Sequence, residues 1–196
     1  RRHWFRIVIV VAPLVAMALC WWIGSQQSVW FDEAYSAWLA KQPIGELIRL
    51  TSIDTHPPLY YLILKLWASV WGYSEAALRA FSILCYGGAM IIMGCFVRRW
   101  FGTRAAGYAL LTLIGTPLLM RYGFEIRMYA LGSLIGVSAT AVLARAWHDD
   151  RWRDWMLYAV LVAFGMGTLY YSALLWLAQL LWLMVMTYRR QGLQQW

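Results

Sequence analysis

The sequence predicts an all-α transmembrane bundle of about six spans, with interfacial helices in its first external loop. Three observations predict it. Hydrophobic residues make up 62% of the 196 positions and charged residues only 13%, which is more apolar surface than one soluble core can hide. Five apolar segments, residues 5–23, 75–97, 105–120, 128–147 and 155–188, are long enough, or nearly so, to cross about 30 Å of hydrocarbon as helices. The net charge of +8 resides in short arginine clusters at the ends of these runs. That pattern reads as membrane topology and argues against a nucleic-acid partner.

The first run follows Arg1, Arg2 and Arg6 and ends in bulky Cys20, Trp21 and Trp22, so it reads as a retained span and not as a cleaved signal peptide. The further clusters, Arg98 with Arg99 and Arg104, Arg145 with Arg151 and Arg153, and Arg189 with Arg190, are all expected on the cytoplasmic side. The chain must then cross an even number of times between one cluster and the next. Residues 59–71 are therefore not expected to span: 13 residues reach only about 20 Å, start at Pro57-Pro58 and carry Lys65 midway. They are expected to form a helix on the outer surface.

The first external loop, about residues 24–74, is expected to hold two more short helices. One opens at Asp32 and Glu33 and runs to Lys41, with Ala34, Ala37 and Trp38 facing apolar surroundings. The other runs from Pro43 to Leu50 and buries Ile44, Leu47 and Ile48. In the second span, Gly87-Gly88 allows a close helix approach, as does the pair Gly132 and Gly136 in the fourth. A small external turn is expected at Arg121–Arg127, after the third span. Parity requires the last apolar stretch to cross twice, turning near Gly165, Gly167, Tyr170, Tyr171 and Ser172.

Both ends of the chain are thus expected inside. Cys20, Cys85 and Cys95 are odd in number and lie in apolar helices, so no disulfide framework is expected. With no internal repeat or linker composition, residues 1–196 read as a single module. Because the chain starts without Met and ends soon after a basic turn, it is expected to be the N-terminal part of a longer protein.

The external loops carry the unusual residues. Asp32 and Glu33 follow the first span directly, and Asp54 and His56 precede the Pro-Pro helix, which gathers ionisable groups at one membrane face. Burial in such a place raises a carboxylate's pKa and makes it a usable base. The plainer account of the acids is helix capping, and of His56 a polar start to the Pro57 helix. Glu125 sits between Arg121 and Arg127, and Arg79 lies one turn after Glu75. Each arginine reads either as a local ion pair or as a ligand for a lipid phosphate. Asp149, Asp150 and Asp154 read as solvated charges. A transporter would need ionisable groups in the middle of several spans, and here they cluster at the ends.

At these residues the sequence resembles the GT-C superfamily of membrane glycosyltransferases, particularly bacterial relatives of protein O-mannosyltransferases and of the lipid A aminoarabinose transferase. The motifs are Phe-Asp-Glu-Ala-Tyr at 31–35, Asp-Thr-His-Pro-Pro-Leu-Tyr-Tyr at 54–61, Gly-Tyr-Ser-Glu-Ala-Ala-Leu-Arg at 72–79, Arg-Arg-Trp-Phe-Gly at 98–102 and Glu-Ile-Arg-Met-Tyr-Ala-Leu at 125–131. The resemblance implies an inner-membrane enzyme that transfers a sugar, with inversion, from a polyprenyl-phosphate donor to a hydroxyl of a lipid, glycan or protein acceptor at the external or periplasmic face.

Asp32 would be the general base and Glu33 its support, while His56, Arg79 and Arg127 would meet the donor phosphate. Asp54, Tyr60 and Glu125 are further site candidates. Some family members use a divalent metal, and Asp32, Asp54, His56 and Glu125 are the ligands that would hold Mg or Mn here. Two departures stand out. Ala34, Tyr35 and Ser36 occupy the place where the aminoarabinose transferase has an arginine after its acid pair. Family enzymes are also longer, with more spans and often an external domain. A noncatalytic scaffold or partner subunit that keeps the architecture is the alternative reading.

Overall fold

A computed structural model describes residues 2–193, and among the described residues the regular structure is helical throughout. The helices are α1 (Arg2–Gly24), α2 (Phe31–Lys41), α3 (Ile44–Ser52), α4 (Leu59–Trp71), α5 (Glu75–Phe101), α6 (Thr103–Gly115), α7 (Pro117–Phe124), α8 (Tyr129–Asp149), α9 (Trp152–Thr168) and α10 (Ser172–Leu193). Residues Trp4–Gly24, Glu75–Phe101, Tyr129–Asp149 and Ser172–Arg190 are each long and apolar enough to cross a membrane. Their lipid-facing sides are open, as in a bundle whose solvent is hydrocarbon: Ile7, Val10, Leu14, Leu174 and Leu181 are all exposed.

The helix ends sort to two poles. At one, Arg98 lies 4.7 Å over the Phe5 ring, Arg99 meets Asp149 at 3.8 Å, and Arg190 lies 5.7 Å over the Trp147 ring. At the other, Arg79 at the start of α5 reaches the carbonyl of Gly24 at the end of α1, and Ser82 Oγ donates to the Glu125 carbonyl at 2.6 Å. The arginine clusters of α5, the α8–α9 turn and α10 therefore share one pole, and the acid-rich loop occupies the other.

Two more paths run between the poles. Along α1, the α6–α7 pair starts with Gly107 against Trp4 and ends with Gly123 near Cys20 and Phe124 against Gly24. The expected third span is thus two helices. Pro117 at the first position of α7 has no N–H and holds Thr116 extended (φ −100°, ψ 104°), which interrupts the helical ladder. Helix α7 then continues through Arg121, so the external turn is limited to residues 125–128 and does not begin at Arg121 as expected. Helix α9 starts where Asp154 pairs with Arg145 at 2.6 Å and ends with Gly167 against Leu59 of α4.

The glycines work by close approach. A Cβ on Gly87 would overlap the Met17 sulfur of α1, and one on Gly88 would press on Leu134 of α8, as the sequence suggested. Gly136 accommodates Leu175, with 3.0 Å to an added Cβ. Gly165 and Gly167, expected to form the turn, are helical instead. They admit Trp176 and Leu59, and the turn falls on residues 169–171.

Gly94 has the tightest surroundings from two directions, since an added Cβ would lie 2.6 Å from Ile9 and 3.2 Å from Leu110. Gly94→Leu is therefore expected to lower stability by about 1–3 kcal/mol through overpacking. Gly45→Ala, where nothing lies within 4 Å, should leave it nearly unchanged. Denaturant titration of both variants checks this.

At the acid-rich pole, α2, α3 and α4 form a surface layer. Helix α4 has the expected bounds, with Pro58 before it and Gly72 in a positive-φ conformation (89°) after it. Lys65, which argued against a span, donates to the carbonyls of Ala40 at 3.2 Å and Gln42 at 2.8 Å. It thereby closes the C-terminal end of α2.

Two expected faces are corrected. Helix α2 buries Glu33, Ser36, Leu39 and Ala40 and packs Ala37 against the core as expected, while Ala34 and Trp38 are exposed. Helix α3 buries Leu47 and Thr51, leaving Ile44 and Ile48 about half exposed. The reason is the same in both: apolar side chains at a membrane face need not turn inward to leave water.

Candidate functional site

The acid pair at the start of α2 divides by function. Two residues into the helix, Asp32 is 36% exposed, and the helix N-terminus favours its negative charge. Glu33 turns the other way and is buried. Its Oε1 accepts the Ile126 N–H at 2.9 Å. Its Oε2 accepts from Arg79 Nη2 at 3.2 Å and from the Trp30 N–H at 3.4 Å.

Arg79 is equally committed. Besides Glu33 it donates to the carbonyls of Gly24 and, at 3.0 Å, Gln27, and it pairs with Glu75 at 2.5 Å. One buried guanidinium thus joins the end of α1, the following loop, α2 and α5. Of its nitrogens only Nε has no partner, so the donors a phosphate would need are engaged by the protein.

The Glu33–Ile126 bond carries the α7–α8 turn to α2, and Arg127 follows. Its side chain is only 4% exposed, yet its Nη2 lies 3.6 Å from Asp32 Oδ2 and 3.3 Å from His56 Nε2. The ε N–H has no partner. On the far side of the ring, His56 Nδ1 lies 3.1 Å from Thr55 Oγ1 and 3.8 Å from Asp54 Oδ1. Burial first, and the Arg127 charge second, hold the His56 pKa below the usual histidine range. Asp32, Asp54, His56 and Arg127 are therefore brought into one cluster from three separate segments.

The other candidates make no hydrogen bond to those four residues. Glu125 accepts from Arg121 Nε at 2.9 Å, the local ion pair the sequence allowed, and its second oxygen is buried without a partner. Tyr60 and Tyr61 pack edge to face at 5.3 Å, and both hydroxyls are buried and unpartnered.

The expected metal ligands do not fit a metal as they stand. Among the described residues no three His, Cys, Asp or Glu side chains are grouped to hold an ion. The Arg127 guanidinium lies between Asp32 and His56, and Glu125 is turned to Arg121. A cation would have to displace a fixed positive charge.

The sequence missed the residues that join these parts: the Ile126 N–H, the Gly24 carbonyl and Thr55. Two are backbone groups, for which a sequence carries no signal. Thr55 is visible only as a neighbour of His56.

Residues 55–196 match the model of the dolichyl-phosphate-mannose-protein mannosyltransferase family. The chain belongs to that family. It is thereby a membrane glycosyltransferase of the GT-C kind, in agreement with the resemblance carried by its motifs. No curated protein and no solved structure matches the chain. The mannosyltransferase-family match takes in His56, Arg79, Glu125 and Arg127 and begins after Asp32 and Glu33. Those two acids join the matched region through Arg127 and Ile126.

Proposed function

We propose that the chain is the catalytic module of an inverting glycosyltransferase that moves a sugar from a polyprenyl-phosphate donor to an acceptor hydroxyl. The pairing of half-exposed Asp32 with the buried Arg127 guanidinium, 3.6 Å apart, carries this reading. A transfer of this kind needs a base and a fixed positive charge within one sugar's reach. The acceptor oxygen attacks the anomeric carbon as its proton passes to the Asp32 carboxylate. The bond from that carbon to the phosphate oxygen breaks on the opposite face, so the configuration inverts. Polyprenyl phosphate leaves with the bonding electron pair, and Arg127 stabilises its added negative charge. Glu33 acts through the backbone, holding α2 and the α7–α8 turn so that Asp32 and Arg127 face one another.

A cavity of about 520 Å³ below the α7–α8 turn, lined by Tyr122, Tyr129, Leu169 and Leu175 among others, supports a lipid-linked donor. Its lining is largely apolar and lies among the helices that cross the bilayer. The arginine-rich pole is cytoplasmic in this reading, which puts the Asp32 cluster at the external face of the cell membrane. The acceptor is a hydroxyl of a lipid, glycan or protein.

The test uses the chain in lipid vesicles with a synthetic polyprenyl-phosphate sugar and a hydroxyl acceptor. Formation of a glycoside of inverted anomeric configuration is the expected result. Donor binding without any product would instead identify a noncatalytic scaffold.

A further inference from the structure

We propose that His56 is a positioning residue: as a neutral imidazole it accepts a hydrogen bond from Arg127 and holds that guanidinium off Asp32, instead of meeting the phosphate itself. The inference rests on the transfer reading above. A guanidinium has five donors and no acceptor, so the His56 Nε2 found 3.3 Å from Arg127 Nη2 presents its lone pair. The ring proton then resides on Nδ1.

The surroundings of Nδ1 agree with that assignment. Thr55 Oγ1 lies 3.1 Å away and accepts the Nδ1 proton. The Thr55 hydroxyl in turn donates to Asp54 Oδ1 at 3.3 Å, and the Thr55 N–H donates to the same oxygen at 2.6 Å. Donors and acceptors thus alternate in one direction, from Arg127 to His56 to Thr55 to the Asp54 carboxylate. The other tautomer, or a protonated ring, would set two donors against each other at Nε2.

The consequence lies at Asp32. At 3.6 Å, Arg127 and Asp32 form an ion pair but not a hydrogen bond, which would need about 2.7–2.9 Å between charged partners. Tethered by His56, the guanidinium stops short of Asp32 and leaves both carboxylate oxygens open to the acceptor hydroxyl. Released, Arg127 closes on Asp32 and competes with the acceptor hydroxyl for those oxygens.

Three substitutions separate this role from a direct phosphate contact. In His56→Gln the amide oxygen reaches about as far as Nε2 and accepts from Arg127. His56→Ala removes the acceptor, and His56→Lys supplies a cation that suits a phosphate but repels Arg127. The expected result is kcat within about threefold of native for the Gln variant and a loss of at least about tenfold for Ala and Lys, with the donor KM little changed. A Lys variant as active as the Gln variant would overturn the proposal.

A second measurement needs no turnover. The chain has 3 histidines, so in a 15N-histidine-labelled sample the His56 ring is assigned by its loss in His56→Gln. At neutral pH a protonated Nδ1 with a bare Nε2 is expected, and an Nε2-protonated or cationic ring would contradict it. A native chain that shows this tautomer but no transfer would count against the transferase reading alone.

Discussion

Glu33→Ala is expected to destabilise the protein by about 3–5 kcal/mol, the usual cost of leaving one member of a buried ion pair alone. Arg79 would keep its two carbonyl contacts and Glu75, but Glu75 is 45% exposed and screened by water, so it replaces little of the lost partner. Two backbone donors, the N–H groups of Trp30 and Ile126, would lose their acceptor at the same time. Glu33→Gln retains an oxygen for Ile126 and loses the charge, so a smaller cost of about 1–2 kcal/mol is expected. Denaturant titration of the reconstituted variants checks the order native, Gln, Ala. An Ala variant as stable as native would show that the Glu33–Arg79 pair does not hold the pole together.

The sequence showed what depends on neighbours along the chain. Helix α4 was legible because prolines precede it, a glycine follows it and its length is too short to span. The sharing of one pole by the arginine clusters was legible because a charge at each end of an apolar run constrains parity. The face of α2 was not legible. Apolar spacing favoured Ala34 and Trp38, whereas the buried face is fixed by contacts from Glu33 to residues 46 and 93 positions away. The break at Thr116 follows from Pro117, but in a run of apolar residues the helix period continues across it and hides it.

The site was legible to the same extent. The motifs identified Asp32, Asp54, His56 and Arg127 as candidates, and the fold brings those four together. It could not be read from the sequence that Arg79 is enclosed while Arg127 stands beside the exposed acid, since both are single arginines near one face of the membrane. That difference comes from contacts across the fold: Arg79 meets the Gly24 and Gln27 carbonyls, backbone groups that have no identity in the sequence, whereas Arg127 meets His56 and Asp32.

Asp32→Asn has the largest expected effect on activity, a fall in transfer of about 10²–10⁴-fold, the range a positioned general base contributes. The change is nearly isosteric and lies at a half-exposed position, so folding is expected to stay close to native. The amide can still point an oxygen at Arg127, but it cannot take the acceptor's proton. The loss should therefore fall on kcat, with the donor bound about as tightly as before.

Single-turnover transfer from a labelled polyprenyl-phosphate sugar, comparing native protein with Asp32→Asn at equal donor occupancy, tests whether Asp32 is the base. Rapid product with the native chain and loss of at least about a hundredfold with the variant is the predicted result. Equal rates for the two would remove Asp32 from the chemistry and with it the reading of the Asp32–Arg127 pair as the transfer centre.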